Sequence, residues 1–234
     1  VDLNAQLAAR GTITPTPWTA YPDNVKDFFQ TGVTSTNNIA VTSSNDKGDF
    51  RMSYTYLDQK GFIPNTDLKR NTFSISGGYK LSDKLKVHTT VNYIDNKSGN
   101  RPSLSYGTEN IMYLFNNWFS PSQNIESLRN YWQAGREGLN QFNFNYNYHD
   151  NPFFNVYENT NGQAINRVFG NISATYQFTD WLNLTIRSGT DYSNEFRDRR
   201  RAYSTQRYLR GSYREEKIVI QETNTDFLLS ATKD

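Results

Sequence analysis

Arg70–Ile94, RNTFSISGGYKLSDKLKVHTTVNYI, decides the fold. Side chains alternate between two faces along an extended chain. Thr72 to Leu81 therefore sets Phe73, Ile75, Gly77, Tyr79 and Leu81 on one face, and Thr72, Ser74, Ser76, Gly78 and Lys80 on the other. Ser82-Asp83-Lys84 supplies a turn. Leu85, Val87, Thr89, Val91 and Tyr93 then oppose Lys86, His88, Thr90 and Asn92. Each arm has about ten residues, which matches the roughly 9–11 that a tilted strand needs to cross a bilayer. Strands of soluble sheets are usually shorter.

The unit is written twice. Tyr79-Lys-Leu-Ser-Asp-Lys-Leu-Lys-Val87 aligns with Tyr176-Gln-Phe-Thr-Asp-Trp-Leu-Asn-Leu184, 97 positions later. A membrane barrel alternates apolar-out with polar-in, and a soluble sandwich alternates core-in with water-out. Both remain open on periodicity alone.

Composition narrows the function classes. The chain has 234 residues, 35% of them hydrophobic and 15% aromatic, with a mean hydropathy of -0.80. A net charge of +2 is too small to argue for nucleic acid or an anionic surface. The absence of cysteine excludes disulfides and thiolate metal sites. No run of eighteen apolar residues offers a transmembrane helix, but barrel strands carry a weaker signal. Val1 opens the chain without a signal peptide, so the chain is expected to begin inside a longer protein.

In order, the expected layout is an irregular lead-in over 1–36, barrel strands over 37–94, a long extracellular loop with short helices over 95–166, and barrel strands with a loop over 167–234. Pro15, Pro17 and Pro22 mark the lead-in, and Asn24 to Gln30 suits a helical turn or a short strand. Asn37 to Ser44 reads as a weak strand. Asn45-Asp46-Lys47-Gly48 has turn chemistry, and Phe50, Met52, Tyr54 and Tyr56 form the next apolar face. A connection follows over Asp58 to Lys69. In the long loop, Ile111, Leu114, Phe115 and Trp118 have helical spacing, as do Leu128, Tyr131 and Trp132 behind a capping Asn124. Arg167 to Phe178 and Leu182 to Tyr192 form a second hairpin. An arginine-rich connection around Arg197 and a last strand from Asp226 to Ser230 complete the chain.

Short turns at Asn45, Ser82 and Thr179 thus alternate with long connections at Asp58, Asp95 and Arg197, as in outer-membrane barrels. Tyr79, Tyr176, Phe178 and Trp181 gather at the short-turn end, where an interfacial girdle would lie. The fold class expected is all-β: an antiparallel up-and-down transmembrane β-barrel segment. Its six or seven strands would form an internal piece of a larger barrel, because exposed strand edges cannot be satisfied in lipid.

Several stretches resemble the barrel of SusC/RagA-type TonB-linked outer-membrane proteins: NVKDFFQTG (24–32), SYTYLDQKGFIPNTDLKRNTFS (53–74), YGTENIMYLF (106–115), DNPFF (150–154) with ENTNG (158–162), and RVFGNISATYQFTDWL (167–182). The resemblance implies a plugged barrel of roughly 22 strands, located in the Gram-negative outer membrane. It implies import of oligosaccharides or peptides, with a SusD-like surface lipoprotein as partner and drive from TonB. The plug, TonB box and closing strand of that family are not among these residues, so this chain alone is not expected to transport. The alternative is a soluble or surface-exposed β-sheet module that binds glycan.

The residues offer no enzyme. His88 and His149 are the only histidines, without the spacing of a metal site or a nucleophilic triad. Ser76-Gly77-Gly78 lies inside a strand rather than before a helix, so it is no phosphate loop. No catalytic, metal or cofactor residue is expected, and no cofactor. Gln141 to Tyr157, QFNFNYNYHDNPFFNVY, alternates aromatics with amides and suits a strand with one aromatic and one amide face. Such a face can stack on sugar rings or simply pack the loop. Trp118, Trp132, Tyr146 and Tyr148 are the candidate substrate-binding residues. Arg197, Arg199, Arg200 and Arg201 read as a solvated basic run with Glu195 and Asp198 as local partners, or as a contact for lipopolysaccharide phosphate.

Overall fold

A computed structural model describes residues 17–104 and 106–232. Residues 1–16, which hold most of the expected lead-in, lie outside the described residues. Past them, α1 (Asn24–Phe28) precedes seven strands: β1 (Val33–Asn45), β2 (Gly48–Lys60), β3 (Asp67–Lys80), β4 (Leu85–Ser98), β5 (Asn161–Thr179), β6 (Leu182–Thr205) and β7 (Tyr208–Ala231). They form one antiparallel sheet in sequence order, an up-and-down segment that is not closed.

The register aligns the apolar residues into rows. One row runs Ile39, Tyr54, Phe73, Tyr93, Val168, Tyr192 across six strands, and every member is more than a third exposed. A second runs Tyr79, Val87, Ala174, Ile186, Phe227 nearer the short turns. Between neighbouring strands the other face carries Thr42, Arg51, Ser76, Thr90, Asn171 and Asn224 at matched positions. A sandwich would bury the apolar rows under a second sheet. Among the described residues no second sheet covers them.

Aromatics mark both ends of the apolar face. Tyr79, Tyr176 and Phe178 stand near the short turns, as the sequence indicates. The upper row was not legible in the sequence. There the Tyr54 hydroxyl donates to Asn71 Oδ1 (2.6 Å) and the Tyr93 hydroxyl to Asn166 Oδ1 (3.0 Å). At about 3.3 Å per residue and a tilt of about 40°, Phe73 and Tyr79 lie about 15 Å apart along the barrel axis, and Val168 lies about 20–25 Å from Tyr176 and Phe178, close to the height of a bilayer's apolar band.

Three turns follow local chemistry. Asn45 Oδ1 accepts from the Lys47 and Gly48 amides, and Ser82 Oγ from those of Lys84 and Leu85. Asp180 and Trp181 close the third. Two expected long connections are much shorter. The one over Asp58 to Lys69 shrinks to residues 61–66, because β2 and β3 pair up to Lys60 and Asp67. No arginine-rich loop surrounds Arg197 either: the β6–β7 ladder continues to Thr205 and Tyr208, and β7 starts long before Asp226. Alternation is visible only when one face is apolar, and in this ladder both faces are polar. The same reason hid the start of β1, which runs from Val33.

The connection after β4, residues 99–160, is structured. It holds α2 (Ile111–Asn117), a 3-10 turn (Ile125–Leu128) and α3 (Pro152–Glu158). Asn110, Asn124 and Asn151 cap these elements, each side chain accepting from amides of the first turn. Phe28, Ile63, Ile111, Leu114, Phe115, Ile125, Leu128, Phe153 and Val156 pack together as the core. Among the described residues, every buried hydrophobic belongs to α1, the 61–66 loop or this connection. The sheet has no core of its own; the connection is a small dome with its own.

Candidate functional site

The dome grips the tip of the β6–β7 hairpin through polar side chains. Arg201, 8% exposed, meets the Glu109 carboxylate twice (2.8 and 2.6 Å) and also donates to the Thr160 carbonyl and Asn161 Oδ1. Asn159 Oδ1 accepts from the Thr205 hydroxyl and the Ala202 amide. Gln141 Nε2 donates to Asp150 Oδ1 (2.7 Å) and to the Ser204 carbonyl (2.6 Å), and the Gln206 amide donates to the same Asp150 oxygen (2.8 Å). Ser204 takes a φ of 74°, a left-handed conformation uncommon outside glycine.

Burial pushes the Asp150 carboxyl up to about 6, against the hydrogen bonds from Gln141 and Gln206. A carboxyl that holds its proton more tightly when folded stabilises the fold below its ordinary range, and loses that contribution as pH rises through about 6. Amide exchange in residues 141–159 is therefore expected to slow about tenfold from pH 7.5 to pH 5, about 1.4 kcal/mol, after correction for intrinsic rates. Asp150→Asn should flatten the dependence. An unchanged slope in the variant assigns the effect elsewhere.

The amide-aromatic stretch is not a strand. Asn143 is fully buried and donates to the Asn145 and His149 carbonyls, and Asn151 donates to the Leu128 and Phe142 carbonyls (both 2.8 Å). The amides fold the chain into turns, and Phe142 and Phe144 pack against the core. Amides that satisfy backbone groups locally compete with ladder formation. The second predicted helix also ends early: Tyr131 and Trp132 lie past the 3-10 turn, where Trp132 bridges to Gln141.

The four candidate binding residues divide into two pairs. Trp118 stacks on Tyr148 (centroids 6.2 Å, 30° apart) and lies 5.0 Å from His149. Its neighbour Tyr113 contacts Tyr106 (4.7 Å) and His149 (6.2 Å). Tyr148 is 64% exposed and Trp118 47%, so their rings form an open aromatic wall. His149 Nδ1 is buried behind it without a hydrogen-bond partner, and burial lowers the imidazole pKa. Trp132 packs edge-on against Phe154 (5.2 Å). The Tyr146 hydroxyl accepts from the Asn143 amide (3.0 Å) and from Gln133. This second pair is built into the dome.

Sequence reasoning missed a concavity of about 590 Å³ on the polar face, among Asn92, Phe169, Asn171, Arg187, Asp191 and Asn224. Arg167 pairs with Asp191, and Arg187 with Asp226 (2.8 Å), beside it. Alternation shows which residues share a face; which of them stand opposite depends on register. Among the described residues, no group of His, Cys, Asp and Glu is arranged to hold a metal, and no helix is long and apolar enough to cross a membrane.

No family model and no curated protein matches the chain. Solved structures do. The RagAB peptide importer in its closed-closed state gives a TM-score of 0.61 at 16% identity, covering 88% of this chain and 22% of that one. The RagAB peptide transporter gives 0.60 at 16% identity, covering 89% and 23%. The open-open state gives 0.59 at 16% identity, covering 95% and 24%. The chain spans less than a quarter of the length of these neighbours. At such identity the likeness is one of fold, and it includes most of the chain.

Proposed function

We propose that this chain is a segment of an outer-membrane β-barrel importer of the SusC/RagA type, which takes up peptides or oligosaccharides with a SusD-like lipoprotein. Drive would come from TonB, through parts of the protein outside these residues. The observation that carries the reading is the sheet's two-sidedness: rows of exposed apolar residues on one face, a charged and amide-rich concavity on the other, and, among the described residues, every buried hydrophobic in the dome, α1 or the 61–66 loop rather than in the sheet. Lipid suits the first face and a water-filled lumen the second. The fold likeness to a peptide importer supports the same reading. A soluble glycan-binding module would leave the apolar rows exposed to water, beyond the usual patch size.

In this reading the dome lies at the extracellular end and the short turns at the periplasmic end. Trp118 and Tyr148 are the proposed substrate contacts, with Trp132 and Tyr146 supporting them from within the dome. Cysteines placed at Asn147 and at Ser82 of the complete protein in intact cells should differ: an impermeant maleimide should label the first and spare the second. Labelling of position 82 alone reverses the orientation. Trp118→Ala with Tyr148→Ala should lower uptake about tenfold while barrel content is unchanged, since two stacking contacts are lost. Trp132→Ala should instead loosen the dome, read as faster proteolysis. Normal uptake by the double variant removes the wall from the binding role.

A further inference from the structure

Charges climb the polar face of β5–β7 in an ordered way. Nearest the short turns Arg187 pairs with Asp226; above them come Arg167 with Asp191, then Arg197 with Glu195. Above these the balance breaks. Arg199 stands directly opposite Arg214 in the ladder, although like charges at opposed positions destabilise a sheet. Arg214 turns to Glu216. Among the described residues, no carboxylate comes within ion-pair distance of Arg199.

Arg101 approaches this place from the dome: its amide donates to the Asn161 carbonyl (2.9 Å), and Asn161 stands opposite Arg199 in the β5–β6 ladder. Arg101 feels the charges of Arg197, Arg199 and Glu195, and its Nε is buried without a hydrogen-bond partner. The acids of the neighbourhood are already engaged: Glu195 by Arg197, Glu216 by Arg214, and Glu109 by Arg201. Asp198 and Glu215 stand opposite one another on the other face, bound to Arg200 and to the Tyr213 hydroxyl. The hairpin thus gathers excess cation toward the lumen.

We infer that Arg101, Arg199 and Arg214 form a capture site for the carboxylates of an acidic oligomer. The inference rests on the importer reading above and narrows its substrate class. A planar carboxylate can accept paired hydrogen bonds from a guanidinium fork, which a lysine cluster would not offer. It would relieve the Arg199–Arg214 repulsion, to which Arg101 adds a third positive charge beside Arg199. The paired charges below would offer a bound oligomer successive partners without trapping it. Carboxylates can come from acidic peptides or from uronate glycans, and the probes below separate the two.

The test uses the complete protein that contains this chain, with its lipoprotein, purified in detergent. Rhodamine-labelled hexaglutamate, hexaglutamine and hexagalacturonate are titrated by fluorescence anisotropy, and uptake of hexaglutamine is measured in cells. At least one acidic probe should bind about tenfold more tightly than hexaglutamine, and the gap should close in high salt. Arg199→Gln and Arg101→Gln should each remove most of the gap, while Arg199→Lys retains part of it and Arg210→Gln retains all of it. Preference for hexaglutamate assigns a peptide and preference for hexagalacturonate a glycan. Equal binding of acidic and neutral probes, or an undiminished gap in Arg199→Gln, overturns the site. If hexaglutamine still enters cells in that event, the importer reading survives; if no probe binds or enters, both fall.

Discussion

Ile172→Arg is expected to destabilise the complete barrel in lipid by about 2–4 kcal/mol, whereas His88→Arg should change stability by less than about 1 kcal/mol. Ile172 is 55% exposed and lies halfway between the two aromatic levels, opposite Thr89 in β4. In the membrane reading proposed above, a guanidinium there meets the middle of the hydrocarbon, where no water or counter-charge is at hand. His88 is on the adjacent strand with its side chain on the other face, beside Thr90 and across from Ser173. In the same reading a longer cation in that place stays in the lumen. The measurement is reversible unfolding in urea in thin-lipid vesicles. Similar losses at the two positions would reject the assignment of faces, and with it the membrane reading of the sheet.

The second large effect concerns the grip between dome and hairpin. Arg201→Ala should destabilise the dome by about 3–5 kcal/mol, because Glu109 is left charged and half-buried without its partner. It would also remove a donor from Asn161 Oδ1 and one of the two donors to the Thr160 carbonyl, which keeps the Arg200 amide (3.0 Å). The sheet itself should survive, since its ladders do not depend on that side chain. Limited proteolysis should therefore cut the dome while the strands resist. Replacing both partners, Arg201→Met with Glu109→Leu, should recover much of the loss, because no charge is then stranded. A dome as resistant in Arg201→Ala as in the parent would mean that packing around Phe153, Leu114 and Ile125 suffices alone.

The hairpins at Asn45, Ser82 and Thr179 were legible because each combines turn residues with a strictly alternating apolar face. The first helix of the dome was legible through the spacing of Ile111, Leu114 and Phe115, and its Asn124 neighbour acts as a cap as expected. The residues that misled are polar ones. Arg197 to Arg201 looked like a loop since nothing in a two-sided polar strand distinguishes it from one. Asn143, Asn145 and Asn147 looked like one face of a strand, and instead the side chains of Asn143 and Asn145 bend the chain by bonding to its backbone.

The sequence by itself determined the antiparallel hairpins, the choice of apolar face and the presence of a structured connection, because alternation, turn chemistry and helical spacing are local. Only the tertiary structure decided that Arg199 meets Arg214, that Trp118 meets Tyr148 while Trp132 and Tyr146 serve the dome, and that Glu109 finds Arg201. Those pairings join residues far apart in the chain. They follow from strand register and from how the dome's core seats it on the hairpin, neither of which a local pattern encodes.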